Sequence, residues 1–232
     1  FLSHGSAYLR MRALDMLRDG VAILAPQERT AELYPVLDRA WPLILARFGT
    51  SATSVSLNGE CDVNVWIHAT GLVSTIAQHV SEGFGRRILK DIWPRWRQML
   101  YTLCTDRSAQ PRVMPRPERG AIAKRAHVHL YNQHATEGQV LFAILEALKS
   151  IASSIGQKME NAVLWDMATH PRLLDTLDVR QSGKIRNAGV TMYQSFIQAD
   201  DMTLWTILRA VAGQGAPWYL HRSIQWAPEF TW

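Results

Sequence analysis

His127, His129 and His134 form the one histidine cluster in the chain, and a metal site is the chemistry such a cluster suggests. The spacing argues against it. Residues i and i+2 face opposite sides of a helix, and no thiol stands beside them to complete a tetrahedral site. Cys61 and Cys104 are too few and too far apart for a disulfide framework or a thiolate site, so a reduced, intracellular chain is the expectation. No Ser, Cys or carboxylate set carries a nucleophile motif, and no glycine-rich loop could cradle a phosphate. The sequence therefore points to no catalytic residue, no cofactor and no bound metal, and to a protein that is not an enzyme.

Two segments could instead recognise a macromolecule. Between Asp106 and Arg125 stand six basic and two acidic residues, which carries most of the chain's net charge of +5. Such a segment could track phosphates, with binding that falls steeply with salt. Its arginines are neither interleaved with aromatics nor set on one helix face, so a solvated basic loop over Asp106–Gly120 is the favoured reading. A nucleic-acid-binding helical solenoid is the alternative. The second segment is the C-terminal stretch from Gly213, whose last 15 residues hold Trp218, Tyr219, Trp226, Phe230 and Trp232. A solvated polar tail would not keep these aromatics. They suit either a cap over the open end of a repeat array or anchors docked on a partner.

The elements that would position these segments are helical. From Leu33 to Phe48 the apolar residues Leu33, Leu37, Trp41, Ile44 and Phe48 recur at helical spacing. Pro42 lies inside this pattern and is expected to kink the helix beside the indole of Trp41. The device returns at Trp93 and Pro94, 52 residues later, inside a second apolar stripe from Ile88 to Leu103. Further helices are expected over Ser6–Ala25, from Asp62 or Asn64 to Val80, over Thr136–Gln157, Met159–Thr169, Leu173–Val179, Ile185–Gln198 and Met202–Ala212. Ala121–Ala135 is ambiguous and is read as a short helix. Gly83 and Gly85 are expected to break the chain before a helix over Arg86–Cys104, and Asp200 or Asp201 to cap the last helix.

No stretch alternates with period two for long enough to make a strand. Helical hairpins repeating at this spacing define an all-α superhelix, a HEAT-repeat solenoid of antiparallel helix pairs over residues 1–212, followed by an aromatic tail over 213–232. A closed helical bundle is the second possibility. With 47% hydrophobic and 19% charged residues in 232, most of the chain should fold. No uninterrupted apolar run reaches the roughly 18 residues that span a bilayer, so no membrane partner is expected. The chain starts at Phe1 rather than Met, which suggests a piece of something longer.

Three runs carry a resemblance: Ala13–Leu17, Leu33–Pro42 with its Trp41-Pro42 pair, and Phe84 followed by Lys90–Pro94 with its Trp93-Pro94 pair. With the last helical pair, Gln198–Asp201 followed by Trp205, they resemble in order and spacing the C-terminal HEAT region of the Tel-two-interacting protein one family. The resemblance assigns Trp41, Pro42, Trp93, Pro94 and Trp205 to the packing of the repeats. It implies a non-catalytic scaffold subunit of the Triple T co-chaperone complex, located in cytoplasm and nucleus. Its implied partners are Tel-two and the second Tel-two-interacting protein, and, indirectly, the ninety-kilodalton heat-shock chaperone. The implied clients are the phosphatidylinositol 3-kinase-related kinases of DNA-damage, telomere and TOR signalling.

Overall fold

A computed structural model describes residues 1–3, 6–27, 29–48, 63–108, 121–178 and 181–213, with side chains described except at 30, 81–83, 102–108, 121–136 and 211–213. Among the described residues every regular element is helical. In chain order these are α1 (Ala7–Leu24), α2 (Thr30–Leu45), α3 (Val63–His79), α4 (Ser81–Arg87) and α5 (Trp93–Ser108). Next come α6 (Ala121–Ile155), α7 (Asn161–Ala168), α8 (Pro171–Leu174), α9 (Gly183–Ala199) and α10 (Met202–Gly213).

The helices form two layers. In the first, α1, α3, α6 and α9 lie side by side, α3 packing chiefly on α1 and α6, and α6 chiefly on α3 and α9. The second layer holds α2, the joined α4 and α5, the short α7 and α8, and α10. This is the expected all-α superhelix of stacked helix pairs, in which each pair buries its apolar face against its neighbours. One detail differs from the sequence reading. The first helix packs mostly on α3 rather than on α2, with Leu14 and Val21 fully buried and Met16, expected inside, exposed.

The repeated Trp-Pro helices are related by more than a constant offset. Trp41, Ile44 and Phe48 are buried, as are Trp93, Trp96 and Leu100, each 52 residues on. Toward the N-terminus the offset changes. Val36 is 50% exposed, whereas Ile88, its counterpart at that offset, is 1% exposed. The buried partners there are Leu33 with Phe84 and Leu37 with Ile88, one residue fewer apart. The cause is a π-helical turn at Ile88–Ile92, which inserts one residue into an otherwise α-helical stripe. It sits just before Pro94, where the widened turn accommodates the missing donor and the ring. There the Trp93 amide bonds back to the Ile88 carbonyl, and the Arg95 guanidinium bonds to the Asp91 carbonyl. At Pro42 the α2 helix continues unbroken to Leu45.

Two further expectations are corrected. Gly85 does not interrupt the chain; it is buried inside α4, and the place of its missing Cβ lies 3.2 Å from the Ile155 side chain. A glycine is needed there for close approach to α6, not for a turn. The ambiguous stretch at 121–135 and the helix after it are one helix, α6, of 35 residues. From α6 through the 3-10 turn that follows it, Glu137–Lys158 has the length and overall hydropathy of a membrane span, although no uninterrupted apolar run is present. Its Leu141, Ile144, Leu145, Leu148 and Ile151 are buried in the core shared with α3 and α9, which is what gives it that composition.

Gly189 of α9 and Gly156 after α6 mark the tightest approaches. A Cβ on Gly189 would lie 2.9 Å from Cβ of Thr176, itself fully buried and β-branched, and a Cβ on Gly156 would lie 2.5 Å from that of Ala199. Gly189→Ala should therefore destabilise the fold by about 1–3 kcal/mol through overpacking, outweighing a gain of up to about 1 kcal/mol in helix propensity. Gly20→Ala, where nothing lies within 4 Å of the added methyl, should be neutral or stabilising. Urea denaturation of both variants checks this; equal midpoints would refute it.

His170 gives the fold a pH dependence. Its Nδ1 accepts the Arg172 amide at 3.2 Å and caps α8, so the ring proton sits on Nε2. The ring is 2% exposed and lies against Trp93 and Tyr101. Burial, and next the nearby Arg97 charge, pull its pKa down from 6.5 to about 4, against the opposing pull of Asp166. The folded state thus refuses a proton that the unfolded chain accepts. Stability from this residue is complete above pH 6.5, falls as pH drops toward 4, and levels off below. The loss should approach about 3 kcal/mol, seen as a falling Tm that His170→Asn flattens across the same window.

Candidate protein-interaction surfaces

The Trp-Pro pairs do more than fill space. The Trp41 indole of α2 donates from Nε1 to Asp91 Oδ2 in the next outer helix at 2.9 Å. Trp93, two residues after Asp91, donates to Asp166 Oδ2 of α7 at 2.8 Å. Trp165, beside Asp166, donates to Asp200 Oδ2 at the head of α10 at 3.0 Å. Trp41 and Trp93 bury their rings and Trp165 is half-buried, and each hands its one donor to a carboxylate of the following repeat. The sequence pointed to Trp41 and Trp93 but not to Trp165, nor to the pairing of any of them with acceptors 35 to 73 residues away. The signal in the sequence was Asp91 two residues before Trp93 and Asp166 directly after Trp165.

The ladder's last acceptor also caps a helix, as expected. Asp200 accepts the Met202 amide at 3.3 Å and the Thr203 hydroxyl at 2.9 Å. Burial would raise its pKa, but the Trp165 indole, the Thr203 hydroxyl and the two amides together hold it below the ordinary value. At Asp166 a cation joins in. Arg97, four residues after Trp93, contacts Oδ1 at 3.2 Å while the indole takes Oδ2.

The inner layer is stapled in parallel. His68 of α3 meets Asp15 of α1 at 2.8 Å. Ser74 and Gln78 of α3 both donate to Ser150 of α6 at 2.9 Å, and Ser153 of α6 donates to Ser195 of α9 at 3.2 Å. Beside these staples runs an open groove of about 480 Å³ bounded by Asn64 and Ile67 of α3, Phe142 of α6, and Lys184 and Ile185 of α9. The Lys184 ammonium sits 4.1 Å from the centre of the Phe142 ring. An apolar floor with one cation at its edge can take an apolar side chain flanked by an acidic one.

The remaining sequence-predicted residues divide cleanly. Trp41 and Trp93 are buried, Pro42 and Pro94 exposed on the same helices. Trp205 departs from its assigned packing role. It is 57% exposed on α10, because no described helix comes after α10 to cover it. Trp218, Tyr219, Trp226, Phe230 and Trp232 lie outside the described residues, as do residues 109–120 of the basic segment. Backbone is described at His127, His129 and His134, within α6, but their side chains are not. Among the described residues no three His, Cys, Asp or Glu side chains come together as metal ligands.

A double-mutant cycle on Trp93→Phe and Asp166→Ala, read by urea denaturation, should return a coupling of about 1–2 kcal/mol, as for a hydrogen bond to a charged group. Coupling within about 0.3 kcal/mol of zero would mean that the indole contributes only its ring.

Comparison with known proteins agrees with this architecture. No curated protein and no solved structure matches the chain. A family description, the TTI1 C-terminal TPR domain, matches residues 1–205. That span takes in the three rungs of the ladder from Trp41 to Asp200 and ends on Trp205. With two stacked helical layers and most of its length matched, the chain belongs to the TTI1 C-terminal TPR domain family.

Proposed function

We propose that the chain is a non-catalytic scaffold segment of the Triple T co-chaperone complex. In this reading it binds Tel-two and the second Tel-two-interacting protein, and so supports the maturation and stability of phosphatidylinositol 3-kinase-related kinases in cytoplasm and nucleus. The observation that carries it is the match to the TTI1 C-terminal family over residues 1–205. Helical-repeat families of this type are generally non-catalytic and act by binding proteins. The architecture supports such a role physically. A stack of helix pairs exposes a long surface built from consecutive helices, and its contacts are nearest-neighbour, so one face can bind while the core is unchanged. The groove between α3, α6 and α9 offers an apolar floor on that surface.

Co-purification of the chain with the two partner subunits, by size-exclusion chromatography with light scattering at low and high salt, tests this reading. A complex of defined mass at both salt concentrations is expected, since an interface with an apolar centre is less screened than one made of surface charges. A folded chain that captures neither subunit would overturn the proposal.

A further inference from the structure

Among the described residues the outer-layer ladder ends on two donors that no acceptor meets. Unlike Trp41, Trp93 and Trp165, Trp205 of α10 is 57% exposed and makes no hydrogen bond among the described residues. Arg209, four residues on, is exposed on the same face and makes no ion pair among the described residues. Trp93 and Arg97 have this same spacing, and together they grip the two oxygens of Asp166 in the following repeat. Met202, 56% exposed and three residues before Trp205, extends the face with an apolar side chain.

We propose that Trp205 and Arg209 form a carboxylate clamp, and that its occupant is a helical-repeat partner protein. The partner stacks against α10 as the next outer helix would and presents an Asp or Glu to the indole N–H and the guanidinium. The inference deepens the scaffold reading above and rests on it. Two features select this occupant. The face continues an interface already used between repeats of the chain, and its two donors, unpaired among the described residues and one of them cationic, call for an anionic acceptor. A bare carboxylate in solvent would gain little from an exposed pair. A helix that also covers Met202 and the indole ring excludes water, and the charge-assisted bonds strengthen.

The test uses the full chain with the two proposed partner subunits. Trp205→Phe keeps the ring and removes the N–H, and Arg209→Gln removes the charge. Each should weaken capture of one partner about ten-fold or more. The double variant should fall short of the product of the two effects, because both groups share one carboxylate. Neither side chain is buried, so Tm should be unchanged. In the isolated chain the Trp205 indole proton should exchange freely with water and become protected when the partner is added. If wild type forms a complex that both variants match in affinity, the clamp is refuted and the scaffold reading stands. An indole proton already protected in the isolated chain, whether by the chain's own C-terminal residues or by a second copy, also refutes it. Capture of neither subunit by wild type removes both readings.

Discussion

Burying an indole is costly when its N–H is left unpaired, and at three places in this protein the partner comes from the next repeat, whereas Trp96 is fully buried with its N–H unpaired among the described residues. Trp41, Trp93 and Trp165 each place a large apolar ring where two repeats meet and each reach across to a carboxylate. The requirement couples two things that a helical stack could otherwise leave separate. The ring supplies burial, on the order of 150–250 Å² per side chain, which is not directional and would tolerate a sliding contact. The hydrogen bond is directional, and it fixes how far one outer helix can slide along the next. Asp91, Asp166 and Asp200 thus set the register of the superhelix, while the serines, Gln78 and the His68–Asp15 pair do the same on the inner layer.

The register is also the reason for the π turn. Phe84, Ile88, Ile92, Trp96 and Leu100 are buried at steps of four, and in constant α-helical geometry such a stripe drifts about 40° per step. One residue inserted as a π turn restores the stripe. The same turn rotates Asp91 so that it meets Trp41 on one side of the helix while Trp93 meets Asp166 on the other. A single local irregularity therefore joins two rungs of the ladder. The first Trp-Pro helix has no such turn and accepts no indole from an earlier repeat among the described residues.

Most of the helices and their two-layer stacking were legible in the sequence, because apolar spacing is a local signal. The Trp41-Pro42 and Trp93-Pro94 pairs reveal the repeat for the same reason. The features that were not legible are non-local. Nothing near Trp93 announces that Asp166 will accept its proton, and Val36 and Ile88 look equivalent until the π turn breaks the offset. Gly85 carries a turn signal by composition and is helical because Ile155, 70 residues away, needs the space. The 121–135 stretch lacked a clear apolar stripe, so its continuity with α6 could not be read from periodicity. Of the candidate binding residues, Trp205 was visible as a motif member, but its exposure depends on which helix packs over α10, a property of the stack rather than of the local sequence.

A solenoid has ends, and each end is an interface with half of its contacts missing. At an ordinary end the cost is lowered by replacing the apolar face with polar residues. Here α10, the last described helix, keeps Met202 and Trp205 outward and adds Arg209, so among the described residues its outer face carries the chemistry of an internal rung. Retaining it is unfavourable for an isolated chain, since an exposed indole and thioether add to the apolar surface facing water. It becomes favourable when another helix covers them, because the ring burial and the charge-assisted bonds are then gained without reorganising the repeats beneath. The register is already fixed by Asp200, which caps α10 and holds Trp165 at once, so the donors of α10 are presented on a helix whose position is set before any partner arrives. Such preorganisation lowers the entropy lost on binding, and it is the same device, repeated once more, that holds the chain together.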